Sequence, residues 1–128
     1  ALLNQGVSVK WLTSMQIVER SCFYSESEYT EYTRSITAPD LLIIDDLGTE
    51  LPNSFTVSQL FICLNERILR QKSTIISTNL ALEDIKSIYS ERTFSRISSN
   101  YTILRITGDD IRIQKKLLNL GGTNDVTP

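Results

Sequence analysis

Two adjacent aspartates, Asp45 and Asp46, directly follow the aliphatic run at 41–44. Neighbouring carboxylates repel each other, so the pair costs stability unless a positive charge lies beside it. The chain contains no histidine, which excludes imidazole bases and histidine-ligated metals. A divalent cation at the end of a buried strand would supply the missing charge. The alternative is an ordinary strand that ends in an acidic turn.

The pattern LLIIDD has the form of a Walker B element, in which a hydrophobic strand ends in two acids. In this interpretation Asp45 binds the nucleotide's Mg²⁺ through water, and Asp46 is catalytic because it orients or deprotonates the attacking water. The motif by itself is only modestly specific. Its significance depends on what accompanies it along the chain.

A second polar residue follows the next predicted strand, STIISTN, at 73–79. Functional groups of parallel sheets gather at the carboxyl ends of the strands, so Asn79 and the two aspartates are expected at one edge. Asn79 is predicted to be a catalytic sensor 1 residue whose amide faces the γ-phosphate or the attacking water. The alternative is a cap for the helix that follows.

Basic residues come next in SERTFSRI, where Arg92 and Arg96 are four positions apart and project from one side of a predicted helix. Either is a candidate catalytic arginine finger, which stabilises transition-state charge on a neighbouring subunit's nucleotide. A solvated basic face is the alternative. Arg112 follows the last predicted strand and is a candidate nucleotide-binding residue, or else a surface cation beside Lys115 and Lys116.

Strands and helices are predicted to alternate around these residues. The strands are expected at 7–12, 41–45, 73–79 and 101–106. Helices are expected at 15–23, at 56–72, at 80–100 with a break near Ser90, and after 108. Residues 24–39 are expected to form a short helix and a loop. This alternation implies right-handed crossovers and a mainly parallel sheet. The expected fold is of the α/β class, with three layers in the order α-β-α.

The composition is that of a globular domain, with 41% hydrophobic and 22% charged residues and a net charge of −2. This charge excludes a uniformly basic surface for nucleic acid. No apolar run approaches the roughly 20 residues of a membrane span, so no membrane association is predicted. Cys22 and Cys63 match no zinc or redox spacing and are interpreted as reduced thiols, which indicates a cytoplasmic protein.

Taken in order, these motifs are similar to those of the bacterial helicase-loader ATPases of the DnaC and DnaI type and their IstB-type transposition relatives. LLIIDDLGTE resembles the family's Walker B segment, IISTNL its sensor 1 strand and ERTFSRI its box VII segment. The resemblance covers nearly the whole chain. It implies that Arg96 is the finger, with Arg92 as the competing choice, and that Arg112 is a sensor 2-like arginine.

One motif of such an ATPase is missing, because no G-x-x-x-x-G-K-[ST] phosphate loop occurs. In the family that loop, its strand and its helix precede LLNQG. We therefore expect residues 1–120 to form an incomplete P-loop NTPase (AAA+) core lacking the first strand, the phosphate loop and most of the first helix. Residues 121–128 are expected to be a flexible tail. The chain alone is expected to bind nucleotide weakly or not at all, with ATP hydrolysis belonging to the intact protein.

The resemblance implies a DNA replication protein that loads the replicative helicase onto single-stranded DNA. It further implies ATP and Mg²⁺ as cofactors, and self-association through the ATPase interface. Two alternatives stay open: an IstB-like transposition helper ATPase with a transposase as partner, and a non-catalytic interaction module with the same fold. A receiver-like signalling domain is disfavoured, because it needs a lysine after the last strand and ILRITG contains none.

Overall fold

The computed structural model of the chain describes residues 5–21, 25–49 and 53–108. Within these ranges there are three strands and five helices, and each strand is followed by one or two helices. They are β1 (Val9–Thr13), α1 (Ser14–Ser21), α2 (Glu26–Thr37), β2 (Leu41–Leu47), α3 (Ser54–Leu69), β3 (Ser73–Thr78), α4 (Leu82–Tyr89) and α5 (Glu91–Asn100). Helix α2 extends over much of the segment that was expected to be partly loop, and a capping box between Ser25 and Glu28 fixes its start.

The three strands form one parallel sheet in the order β1-β2-β3. This confirms the predicted α/β class and parallel sheet. Strands that are consecutive in sequence are also neighbours in the sheet. Right-handed crossovers therefore place the β1–β2 and β2–β3 connections on the same face of the sheet. The described residues therefore form two of the three predicted layers.

The core lies on that helix-covered face. Alternate strand residues Leu12, Leu42 and Ile44 are buried there, as expected from the period of two along a strand. The helices contribute further buried apolar side chains, namely Ile17, Tyr32, Ile36, Leu60, Cys63, Leu64, Ile85, Tyr89 and Ile97. On the opposite face Trp11, Ile43 and Ile75 are in register across the sheet, and Trp11 is 62% exposed.

A buried arginine joins three of these elements. Arg67 on α3 is fully buried, and its guanidinium donates to the carbonyls of Ile36, Thr37 and Ser73 at 3.0, 3.3 and 2.6 Å. It also donates to the Thr74 hydroxyl at 2.9 Å. Because a buried charge is costly unless it is hydrogen-bonded, these four acceptors are what makes the position tolerable. Burial lowers the pKa of Arg67.

The predicted break near Ser90 is present: Ser90 has φ +88 and its hydroxyl accepts from the Thr93 amide to cap α5. The predicted strand at 101–106 is wrong, because this segment has irregular backbone. None of the described strands pairs with it, and Leu104 and Ile106 are 81% and 95% exposed. The predicted helix after 108 and the predicted tail at 121–128 lie outside the described residues. No helix in the described ranges has the length and apolar character needed to cross a membrane.

Candidate functional site

Three of the predicted site residues, Asp45, Asp46 and Asn79, lie at the carboxyl edge of the sheet. Asp45 near the end of β2 pairs in register with Thr13, the last residue of β1. β3 ends at Thr78, so Asn79 follows directly on its carboxyl end. Parallel strands bring these ends to one edge, which is where such sheets bind ligands.

The two aspartates sit in a β-bulge. Ile44 pairs with Ile76 and Leu47 pairs with Thr78, so Asp45 and Asp46 together oppose a single residue of β3. Asp46 has φ +56, in the left-handed region that aspartate adopts more readily than most residues. Simple alternation would place residue 46 on the core face after residues 42 and 44. The bulge instead buries Leu47, which is 2% exposed, and leaves Asp46 exposed.

The residue opposite the bulge is Ser77, which the sequence analysis did not identify. Its hydroxyl donates to Asp45 Oδ1 at 2.5 Å and accepts from the Asp46 amide at 3.0 Å. One serine therefore contacts both aspartates. The signal in the sequence was a hydroxyl residue within the apolar run of β3, two positions before Asn79.

The backbone that carries Asp46 is held from both sides. Its carbonyl accepts from the hydroxyl of Ser14 at 3.0 Å and from that of Thr49 at 2.9 Å. The next carbonyl, that of Leu47, accepts from the Thr78 hydroxyl at 2.7 Å. These bonds link the start of α1, the loop after β2 and the end of β3, so they fix the position of the bulge.

The two candidate finger arginines lie elsewhere, on α5. The Arg92 guanidinium stacks over the Phe61 ring at 4.2 Å from its centroid. Arg96 is exposed and, within the described part of the chain, makes no ion pair. Both line a shallow recess between α3 and α5, and neither is bonded to Asp45 or Asp46 there. Arg112 lies outside the described residues.

The carboxylate oxygens at the carboxyl edge could provide some, but not all, of the oxygen ligands that a cation such as Mg²⁺ needs. Asp45 Oδ2 accepts no hydrogen bond from a described residue, so it is available to accept one from a metal-bound water. No group of three or more acidic, histidine or cysteine residues in the described ranges could enclose a metal ion. Mg²⁺ is ordinarily held by one or two carboxylates together with waters and substrate phosphates. The residues present fit that arrangement and do not form an all-protein cage.

Comparison with known proteins assigns the chain to a family. The profile of the IstB-like ATP binding proteins matches residues 1–119. No curated protein gives a significant match to the sequence.

Solved structures share the fold at low sequence identity. The DnaC helicase loader is 23% identical with a TM-score of 0.72, over 83% of this chain and 65% of that one. The replication initiator DnaA bound to AMPPCP and single-stranded DNA is 18% identical with a TM-score of 0.74, over 84% and 34%. Domain III of the Thermotoga maritima replication initiation protein DnaA is 21% identical with a TM-score of 0.66, over 78% and 42%.

This chain thus spans less than two thirds of the length of each of those three proteins. The match to the family profile extends over nearly all of its residues. The chain belongs to the family of IstB-like ATP binding proteins and has the fold of an incomplete AAA+ P-loop NTPase core.

Proposed function

We propose that this chain is the part of a cytoplasmic ATPase that binds magnesium and carries the catalytic acid, and that the whole protein loads a replicative helicase onto single-stranded DNA. The observation that supports this most strongly is the pair Asp45 and Asp46 in a bulge at the carboxyl edge of the sheet, both bonded to Ser77. In this proposal the phosphate loop is supplied from outside these 128 residues.

Each residue has a separate task in the proposed reaction. Asp45, oriented by Ser77, binds the metal through water, and exposed Asp46 orients the attacking water. Asn79 offers a neutral amide at the same edge. Magnesium bound with ATP supplies the positive charge that two adjacent carboxylates need.

The arginines are assigned to a neighbouring subunit's nucleotide. Within one chain neither Arg92 nor Arg96 is bonded to the described aspartates, so a finger acting across a subunit interface accounts for their separate position. Arg96, which has no stacking partner among the described residues, is the proposed finger. We accordingly propose self-association through the recess between α3 and α5.

The proposed helicase partner rests on the resemblance to the DnaC helicase loader. The proposed DNA partner rests on the fold shared with DnaA, which has been solved bound to single-stranded DNA. A second candidate function is that of a transposition helper ATPase. It is favoured by the family profile itself, which describes IstB-like proteins. Both candidates use the same ATPase site and differ in their partner.

A loading assay tests the helicase proposal. The protein encoded by the complete reading frame is incubated with its cognate replicative helicase, ATP and circular single-stranded DNA carrying an annealed oligonucleotide. We expect the parent protein to support ATP-dependent displacement of the oligonucleotide and Arg96→Ala to abolish it. Arg70→Ala is the control, because Arg70 is an exposed arginine paired with Glu66, and it should leave displacement intact. No stimulation of the helicase, together with co-purification of a cognate transposase, would contradict helicase loading and support the second candidate.

A further inference from the structure

We propose that Ser77 is a positioning residue for the metal-binding carboxylate, a role that rests on the proposed ATPase function. A hydroxyl has one hydrogen to donate and two lone pairs that accept. Ser77 donates its hydrogen to Asp45 Oδ1 at 2.5 Å, and it accepts from the Asp46 amide at 3.0 Å. The Ser77 hydroxyl therefore donates to one residue of the proposed site, Asp45, and accepts from the other, Asp46.

The donated bond determines how Asp45 faces the cation. With Oδ1 bonded to Ser77, the carboxylate is held in one rotamer and Oδ2 remains available. Loss of a hydrogen bond that orients a metal-binding group commonly changes metal affinity by about 10- to 100-fold. Ser77 itself is exposed and lies outside the buried core, so its side chain contributes little to packing.

The accepted bond connects this orientation to the bulge. At the bulge the amide of Asp46 is bonded to a side chain of the opposing strand, which replaces regular strand pairing. The same oxygen thus holds the backbone of Asp46 and the side chain of Asp45. In this proposal Ser77 fixes the position of the metal-binding carboxylate of Asp45 relative to the proposed catalytic acid, Asp46.

The test uses Mn²⁺ with AMPPCP as the probe and the protein encoded by the complete reading frame. Electron paramagnetic resonance measures free Mn²⁺, and a separate titration measures AMPPCP binding without metal. We expect Ser77→Ala to weaken Mn²⁺ binding about tenfold with metal-free AMPPCP affinity unchanged. Ser77→Thr keeps the hydroxyl and should restore Mn²⁺ binding.

Ser73→Ala is the matched control, since Ser73 is an exposed serine at the opposite end of β3. The Ser73→Ala protein should bind Mn²⁺ like the parent. Equal Mn²⁺ affinity of parent and Ser77→Ala, or equal weakening by Ser77→Thr and Ser77→Ala, would overturn the proposal. If Ser77→Ala fails to fold, Ser77→Cys replaces it: a thiol is a weak donor, so undiminished Mn²⁺ affinity there also overturns the role.

The two proposals fail in distinguishable ways. A parent protein that binds Mn²⁺ with AMPPCP while Ser77→Ala binds equally well removes only the role of Ser77. A parent that binds no metal-nucleotide removes the ATPase proposal and the role of Ser77 with it.

Discussion

Gly48 lies so close to Leu80 that a Cβ at position 48 would come within 2.6 Å of Leu80 Cδ1 and 2.8 Å of its Cγ. Gly48 also has φ +104, a conformation that side chains with a Cβ rarely adopt. This contact joins the turn after the two aspartates to the segment after β3. The glycine of the LGTE sequence therefore allows the two halves of the candidate site to approach each other.

Gly48→Ala is expected to destabilise the fold by about 1–3 kcal/mol, since it adds backbone strain to a steric clash. Urea denaturation measures the loss. Gly6→Ala is the matched control: Gly6 has φ +78 with no atom within 4 Å of its Cβ position, so only the strain remains. Equal losses for the two variants would show that the contact with Leu80 is unimportant.

Arg67→Met should destabilise the fold by about 3–5 kcal/mol, because it leaves buried carbonyls without their donor. The urea midpoint reports this loss. Arg70→Ala, three residues further on, removes an exposed ion pair with Glu66 and should cost less than about 1 kcal/mol. A loss at position 67 no larger than that at position 70 would contradict the role of Arg67 in joining α2, α3 and β3.

Sequence patterns were sufficient for most of the fold. The unbroken apolar run before Asp45 predicted a buried strand, and the serine break at residue 90 predicted two helices in place of one. The strand expected at 101–106 was wrong. The β propensity of these residues shows that they could form a strand, but a strand also needs a neighbouring strand to pair with, and propensity does not report whether one is present. Arg67 could not be predicted to be buried, since its acceptors come from residues distant in sequence.

Within the candidate site, sequence order placed Asp45, Asp46 and Asn79 at one edge, but their geometry required the structure. A bulge is a relation between two strands, so neither strand shows it alone. Ser77 could not be predicted for the same reason, because its role depends on hydrogen bonds to Asp45 and Asp46 on the neighbouring strand. The roles assigned to these residues remain predictions.

The two arginines of α5 should differ in their effects. Arg92→Ala removes a cation–π contact with Phe61 and should cost about 0.5–1 kcal/mol of stability while ATP turnover persists. Arg96→Ala should leave stability unchanged and lower turnover about a thousandfold. Thermal melts and steady-state ATP hydrolysis by the assembled protein separate the two effects. The reverse pattern would make Arg92 the finger.

Asp40 should give the fold an acid-sensitive contribution. Hydrogen bonds from the Ser8 amide, Lys72 and the Ser8 hydroxyl, together with the Lys72 charge, lower the pKa of Asp40 below the ordinary value of an aspartate. A lowered carboxyl pKa stabilises the fold above the unfolded value and loses that contribution as pH falls through the folded value.

The melting temperature of Asp40→Asn should therefore lie below that of the parent at neutral pH, and the difference should shrink as the pH falls through the lowered pKa of Asp40. Thermal melts from pH 7 down to pH 2 measure it. Lys72→Met should reduce the acid-sensitive difference without removing it, since Ser8 still donates. A difference between parent and Asp40→Asn that is constant over this range would contradict the assignment.

ATP hydrolysis by Asp46→Asn in the protein encoded by the complete reading frame tests the central claim most directly. Asparagine matches aspartate in size and also adopts positive φ, so the bulge should survive while the carboxylate is lost. We predict that turnover falls by about 100-fold or more while ATP binding is unchanged. Turnover equal to that of the parent would contradict the account.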